Sequence, residues 1–79
     1  MKLLVRNLER TTSEHDIRAL FSTHGTVTEC NLVLDQLTGL SKGFAFVEMP
    51  DENEAKSAVE KLNMAVVDKS KIRVKITQN

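Results

Sequence analysis

The segment from Lys42 to Met49, KGFAFVEM, restricts the fold of this chain more than any other segment. Side chains of an extended strand alternate between its two faces. One face of this strand is predicted to be apolar and to point into a core, with Ala45, Val47 and Met49. The other face carries two phenyl rings and a carboxylate, namely Phe44, Phe46 and Glu48. Rings outside the core predict either a surface for a flat ligand or an ordinary half-buried strand with two exposed rings.

The remaining pattern predicts the element order βαββαβ. Strands are predicted at residues 1–6, 27–34, 42–49 and 71–77. Ser13 and Asp51 are residue types that helices prefer at the N-cap, so each is expected to begin a helix. Gly25 is expected to end the first helix just after His24. This order is typical of an α+β ferredoxin-like fold, a four-stranded antiparallel sheet with two helices on one face. With 79 residues, we expect one domain spanning 1–79.

Local patterns predict how the helices begin and which strand residues face the core. Asp16 and Glu54 stand three residues after the two N-caps, as in a capping box. In the second strand, Cys30, Leu32 and Leu34 are expected to point inward, and Asn31 and Val33 outward. In the last strand, the inward residues are Ile72, Val74 and Ile76. One face of the sheet is therefore expected to remain uncovered by helices.

The charge distribution is more informative than the net charge, which is zero with a pI of about 6.7. A neutral chain argues against a strongly basic protein that binds nucleic acid indiscriminately. The carboxylates of the predicted helical segments are Glu14, Asp16, Asp51, Glu52, Glu54 and Glu60. The cations in or beside predicted strands are Lys2, Arg6, Lys42, Lys71, Arg73 and Lys75. The sheet side is thus expected to be basic and the helical side acidic.

The sequence predicts neither a metal site nor a catalytic one. His15 and His24 are nine residues apart, and no group of cysteines or carboxylates completes a zinc site. Cys30 is the only cysteine and is expected to be a buried thiol. No segment has the length of a membrane span or of a signal peptide, so we expect no membrane association and an intracellular, cytoplasmic location. We expect no cofactor.

Two segments resemble the signatures of the RNA-recognition motif family. Residues 42–49 match its octamer, K/R-G-F/Y-G/A-F-V-x-F/Y, except at Met49. Residues 3–8, LLVRNL, match its first-strand hexamer except that Leu4 replaces an aromatic residue. The resemblance covers essentially the whole chain, including the Thr38-Gly39 turn. Met64 and Lys69 stand where many relatives have glycine, so the loop before the last strand is expected to run differently.

The resemblance implies that the chain binds single-stranded RNA on the uncovered sheet face. Phe46 would stack on a base, Phe44 would pack against a sugar or a neighbouring base, and Lys42 would contact a phosphate. Because Leu4 offers no π-face, binding is expected to be weak, over two to four nucleotides. The candidate RNA-binding residues are Lys2, Leu4, Arg6, Asn31, Lys42, Phe44, Phe46, Arg73 and Lys75.

Two other functions compete with RNA binding. Single-stranded DNA is one alternative ligand, since stacking does not distinguish the two sugars. A protein partner or a weak homodimer is another, because an apolar patch can mark a protein interface. That patch would consist of Leu4, Val33, Phe44 and Phe46.

Overall fold

The computed structural model describes residues 1–77 and has two helices and six strands within them. The helices are α1 (Glu14–Ser22) and α2 (Glu52–Leu62), and the strands are β1 (Lys2–Arg6), β2 (Glu29–Leu34), β3 (Ser41–Glu48), β4 (Val66–Val67), β5 (Ser70–Lys71) and β6 (Arg73–Thr77). Four strands form an antiparallel sheet in the order β2-β3-β1-β6. The predicted ferredoxin-like fold is confirmed, with β4 and β5 added as a small hairpin. The predicted domain boundary at Asn79 lies outside the described residues.

The inner face of the sheet and both helices enclose one apolar core. The inward residues of the octamer strand, Ala45, Val47 and Met49, are completely buried, as predicted. The helices add Ile17, Phe21, Ala55, Ala58 and Leu62 to the same cluster. Because both helices pack on this face, the opposite face of the sheet stays uncovered.

Helix α1 begins as predicted but ends earlier. The Ser13 side chain accepts a hydrogen bond from the Asp16 N–H at 3.1 Å, and Asp16 accepts one from the Ser13 N–H at 3.2 Å. The second of these bonds is the main reason why the pKa of the Asp16 carboxyl is lowered. The helix stops at Ser22, so the prediction that it includes His24 was wrong. The N–H groups of residues 23 and 24 bond to carbonyls three residues back, a tight last turn that ends the helix before Gly25.

Only half of the second predicted capping box forms. Asp51 accepts a hydrogen bond from the Glu54 N–H at 2.9 Å. The Glu54 carboxylate instead accepts the Thr26 N–H at 3.0 Å, in the loop that follows α1. Glu54 therefore ties the start of α2 to the loop that leads into β2.

Strand β2 differs from its prediction in its first residue and in the orientation of its last one. It begins at Glu29, two residues later than expected. Leu32 faces Ala45 but Leu34 faces Ser41, so the register shifts between the two leucines. An irregularity of this kind breaks the strict alternation of faces. The prediction that Leu34 points inward was wrong, since its side chain is 48% exposed.

The segment before β6 contains backbone conformations that normally favour glycine. Met64 and Lys69 both have φ of 72°, and Asp68 has φ of 49°. Asp68 and Lys69 are the two-residue turn of the β4–β5 hairpin, where positive φ matches the twist of the strands. The Thr12 hydroxyl donates to the Asp68 carboxylate at 2.7 Å and ties the hairpin to the loop before α1.

Candidate nucleic-acid interface

The sheet face opposite the helices, called the open face below, presents a row of side chains across all four strands. Cross-strand pairing places Asn31 opposite Phe46, Phe46 opposite Leu4, and Leu4 opposite Lys75. Phe46 and Leu4 are half-buried, whereas Asn31 and Lys75 are exposed. Four of the nine candidate residues are thus brought side by side, in an order that the sequence alone did not specify.

The two phenyl rings of β3 lie close together at right angles. Their centroids are 6.2 Å apart and their planes meet at 86°. Both rings are half-buried, so each packs on its neighbours and still presents surface to solvent. The Lys2 ammonium lies over the Phe46 ring, 5.5 Å from its centroid. Lys2 therefore lies beside the aromatic pair.

The two ends of the open face differ in charge. At the basic end, Arg6 is directly opposite Arg73. At the other end, Glu48 lies between Lys2 on β1 and Glu29 on β2, and the N-terminal ammonium is 3.6 Å from the Glu48 carboxylate. The prediction of a basic sheet side is correct for one end only, because at the other end two carboxylates, among them Glu29, balance two ammonium groups.

A depression of about 320 Å³ lies at the basic end and is called the basic depression below. Its lining residues are Arg6, Asn7, Leu8, Arg10, Lys42, Gly43 and Phe44. Two predicted cations and one predicted aromatic residue therefore share one concave surface. Arg73 and Lys75 line a neighbouring depression together with Arg6, so Arg6 lines both depressions.

The turn that follows β1 shapes the basic depression. Asn7 adopts φ of 61°, and its side-chain nitrogen Nδ2 donates to the Lys71 carbonyl at 2.7 Å. The Leu8 N–H then donates to the Gly43 carbonyl at 2.9 Å. Gly43 has φ of 85°, a conformation that glycine adopts readily. The loop after β1 is thus held against the beginning of β3.

Arg10 is the residue of this site that the sequence reading missed. Its guanidinium donates from Nη1 to the Ser41 carbonyl at 2.8 Å. The predicted cations all lie in or beside strands, whereas Arg10 lies four residues beyond β1. The antiparallel pairing of β1 with β3 could have indicated Arg10, because the chain that leaves the end of β1 must pass the start of β3.

The loop between β2 and β3 is preformed but lies outside the predicted site. The Asp35 carboxylate accepts N–H groups from Leu37 and Thr38 at 2.8 and 3.0 Å. These two bonds, that of Thr38 first, lower the pKa of Asp35. Leu37 and Leu40 are 96% and 66% exposed. The loop therefore projects two apolar side chains from the end of the sheet.

Cys30 and the histidines do not contribute to the open face. Cys30 is buried in the core, and this burial raises the pKa of its thiol. Within residues 1–77 no group of His, Cys and carboxylate side chains is arranged to hold a metal ion. None of the helices in the same range is both long and apolar enough to span a bilayer.

One family model matches a region that includes both signature segments, residues 3–8 and 42–49. The model of the RNA recognition motif matches residues 3–73. The chain belongs to the RNA recognition motif family. The resemblance seen in the octamer and the hexamer is thereby confirmed, and RNA-recognition domains are binding modules rather than enzymes.

Individual relatives agree with this assignment. The chain is 43% identical over 63 residues to the human Transformer-2 protein homolog alpha, a match that covers 80% of this chain and 22% of that protein. Its matches cover between 11% and 27% of the length of eight such curated relatives.

Solved structures are similar over nearly the whole chain. The crystal structure of RNA binding protein PG1 superimposes with a TM-score of 0.92 at 40% identity, covering 95% of this chain and 90% of that one. The RNA-recognition domain of Rna15 with bound RNA (GU) superimposes with a TM-score of 0.89 at 28% identity, covering 99% and 83%. Family membership and an RNA-bound neighbour both support RNA binding.

Proposed function

We propose that this chain binds single-stranded RNA on the open face, by stacking a base on Phe46 and by contacting phosphates at the basic end. The observation that carries the proposal is the row of Asn31, Phe46, Leu4 and Lys75 on a sheet face without helices. This row places one aromatic ring beside a side-chain amide, with Leu4 between the ring and the cation. Membership of the family and the RNA-bound Rna15 domain support RNA as the ligand.

The perpendicular rings favour different roles for the two phenylalanines. Since the planes meet at 86°, a base parallel to one ring is nearly perpendicular to the other. One nucleotide therefore cannot stack on both rings at once. Phe46 lies in the middle of the row and stacks the base, and Phe44 packs against a sugar or the edge of a neighbouring base.

The position of Lys2 over Phe46 does not prevent stacking. A cation–π contact at an exposed site is worth about 0.5–1 kcal/mol. Stacking of a base on an aromatic side chain is worth about 1–3 kcal/mol. A base therefore displaces the Lys2 ammonium from the ring, after which the ammonium is available to a phosphate oxygen.

Leu4 limits the affinity. It faces Phe46 directly and offers aliphatic surface where a third ring would provide a π-face. A missing stacking partner costs about 1–3 kcal/mol, or roughly tenfold or more in Kd. The affinity is accordingly modest, and the binding surface holds two to four nucleotides. Asn31, which can donate and accept hydrogen bonds at the same time, lies next to the stacked base.

An NMR titration with short single-stranded RNAs tests this proposal, with Phe46→Ala as the decisive variant. We expect Phe46→Ala to raise Kd tenfold or more, because it removes the stacking surface. Leu37→Ala is the matched control, since it removes an exposed apolar side chain outside the open face. A well-folded Phe46→Ala protein that binds RNA as tightly as the unmodified chain would contradict the proposal. DNA of the same sequence tests the alternative ligand.

Self-association through the same face remains a prediction that the titration also tests. It differs from pairing between sheet edges, and both edges are partly closed. The Leu32 N–H of β2 donates to the Glu14 carboxylate at 2.8 Å, and the Val74 N–H of β6 donates to the Asn63 side chain at 3.0 Å. Edge-to-edge pairing is thereby disfavoured at these positions. Shifts at Phe44 and Phe46 that depend on protein concentration and not on RNA would indicate a protein contact.

A further inference from the structure

We propose that Arg10, together with Arg6 and Lys42, forms a phosphate-binding site in the basic depression. The ligand is a phosphodiester group of the RNA backbone, next to the nucleotide that contacts Phe44. This inference rests on the proposed function and adds to it a residue outside the sheet. Three observations carry it: the anchoring of Arg10, the space above Gly43 and the charge of the depression.

The Arg10 guanidinium is held in place before any ligand arrives. Nη1 donates to the carbonyl of the buried residue Ser41 at 2.8 Å. This bond uses one of the five N–H donors of the group. Anchoring a long side chain in the free protein reduces the conformational entropy that binding would otherwise cost. Arg10 is thus prepared to meet a ligand with its remaining donors.

Gly43 provides the space that brings Arg10 close to the strand. A Cβ at Gly43 would lie 3.7 Å from Arg10 Nε, in ordinary contact with it. The guanidinium therefore lies against the strand where it has no side chain, between the positions of Lys42 and Phe44. The φ of 85° at Gly43 favours glycine, and the absence of a side chain there leaves the strand surface open beside the guanidinium.

The charge of the basic depression matches a phosphate. Arg6, Arg10 and Lys42 all line it. Within residues 1–77 none of these three side chains forms an ion pair with a carboxylate. Guanidinium groups bind phosphate oxygens through paired N–H donors, which is why arginine is frequent at such sites. The depression is also open to solvent beside Phe44, so a bound phosphate stays connected to a nucleotide on the open face.

The salt dependence of RNA binding distinguishes a phosphate contact from a structural role. For a single strand, log K changes with log salt by about −0.7 for each phosphate contact. We expect Arg10→Gln to weaken binding and to make the slope shallower by at most about 0.7, the value for one complete phosphate contact, because Arg6 and Lys42 remain. Arg10→Lys, which keeps the charge, should retain the slope. Lys61→Ala, an exposed lysine of α2, should change neither affinity nor slope.

RNAs with single uncharged methylphosphonate linkages locate the contact. At the linkage that Arg10 binds, neutralisation should weaken binding to the unmodified chain more than binding to Arg10→Gln, in which only Arg6 and Lys42 still contact that phosphate. An Arg10→Gln variant that is folded, binds RNA and keeps the full slope would overturn the inference while the proposed function stands. If the unmodified chain does not bind RNA, or binds it independently of Phe46, the proposed function itself fails.

Discussion

Leu3 and Leu4 are consecutive leucines on β1, and their surroundings differ completely. Leu3 points to the inner face, has no exposed surface and faces Val47 and Ile76 on the neighbouring strands. Leu4 points to the open face, is half-buried and faces Phe46 and Lys75. The same side chain therefore belongs to the core at one position and to the proposed ligand surface at the next. Alternation along one strand would thus separate stability from the proposed binding.

The largest expected effect tests this separation with the same substitution at both leucines. Leu3→Ala leaves a cavity in the core and should lower the free energy of unfolding by about 2–5 kcal/mol. That loss is a large part of the roughly 4–12 kcal/mol expected for a chain of this size. Leu4→Ala removes surface that is already partly hydrated, so it should cost clearly less. Urea denaturation of both variants measures the difference, and equal losses would show that the open face is part of the core.

A smaller effect is expected when the open face gains a ring. Leu4→Phe places a phenyl group opposite Phe46 and should tighten RNA binding by about 1–3 kcal/mol, the value of one stacked base. Leu40→Phe is the control, because it adds the same ring at an exposed position of the β2–β3 loop. The Kd values of both variants for one RNA decide the matter. If Leu4→Phe does not bind more tightly than the control, position 4 does not contact a base.

The inner face could be predicted from the sequence because burial imposes a strict pattern. Alternation in the octamer correctly assigned Ala45, Val47 and Met49 to the core. The predictions failed where a local bond or an irregularity competes with the pattern, as at the end of α1 and at Leu34. No periodicity marks such positions, because one hydrogen bond or one shifted residue decides them.

The open face was less predictable, because its pattern depends on pairing between strands. The sequence identified Phe44, Phe46 and the strand cations as a group, but it did not provide their cross-strand register. Glu29 faces Glu48 only because of that register, and Arg10 reaches Ser41 only through the path of a loop. Neither contact follows from the order of residues within one segment.

The smallest expected effects concern the like-charge pairs at the two ends of the open face. Arg6 faces Arg73, and Glu29 faces Glu48. Like charges directly opposite each other destabilise a sheet by a few tenths of a kcal/mol or somewhat more. Arg73→Gln should therefore raise the free energy of unfolding slightly, in contrast to any truncation on the inner face. Glu29→Gln should raise it by less, because the N-terminal ammonium lies 3.6 Å from the Glu48 carboxylate and offsets part of the repulsion. Thermal denaturation at low ionic strength measures this gain, and added salt should reduce it.

RNA binding should separate the same two variants, because the sign of the charge matters for a phosphate. Arg73→Gln removes a cation at the basic end and should weaken binding, with a shallower salt slope. Glu29→Gln removes a carboxylate that repels the backbone and should strengthen binding slightly. If both variants changed affinity in the same direction, the RNA backbone would not lie preferentially at the basic end. If they diverge as expected, the cations of the basic end contribute to binding in proportion to their charge, and the carboxylates at the opposite end oppose it.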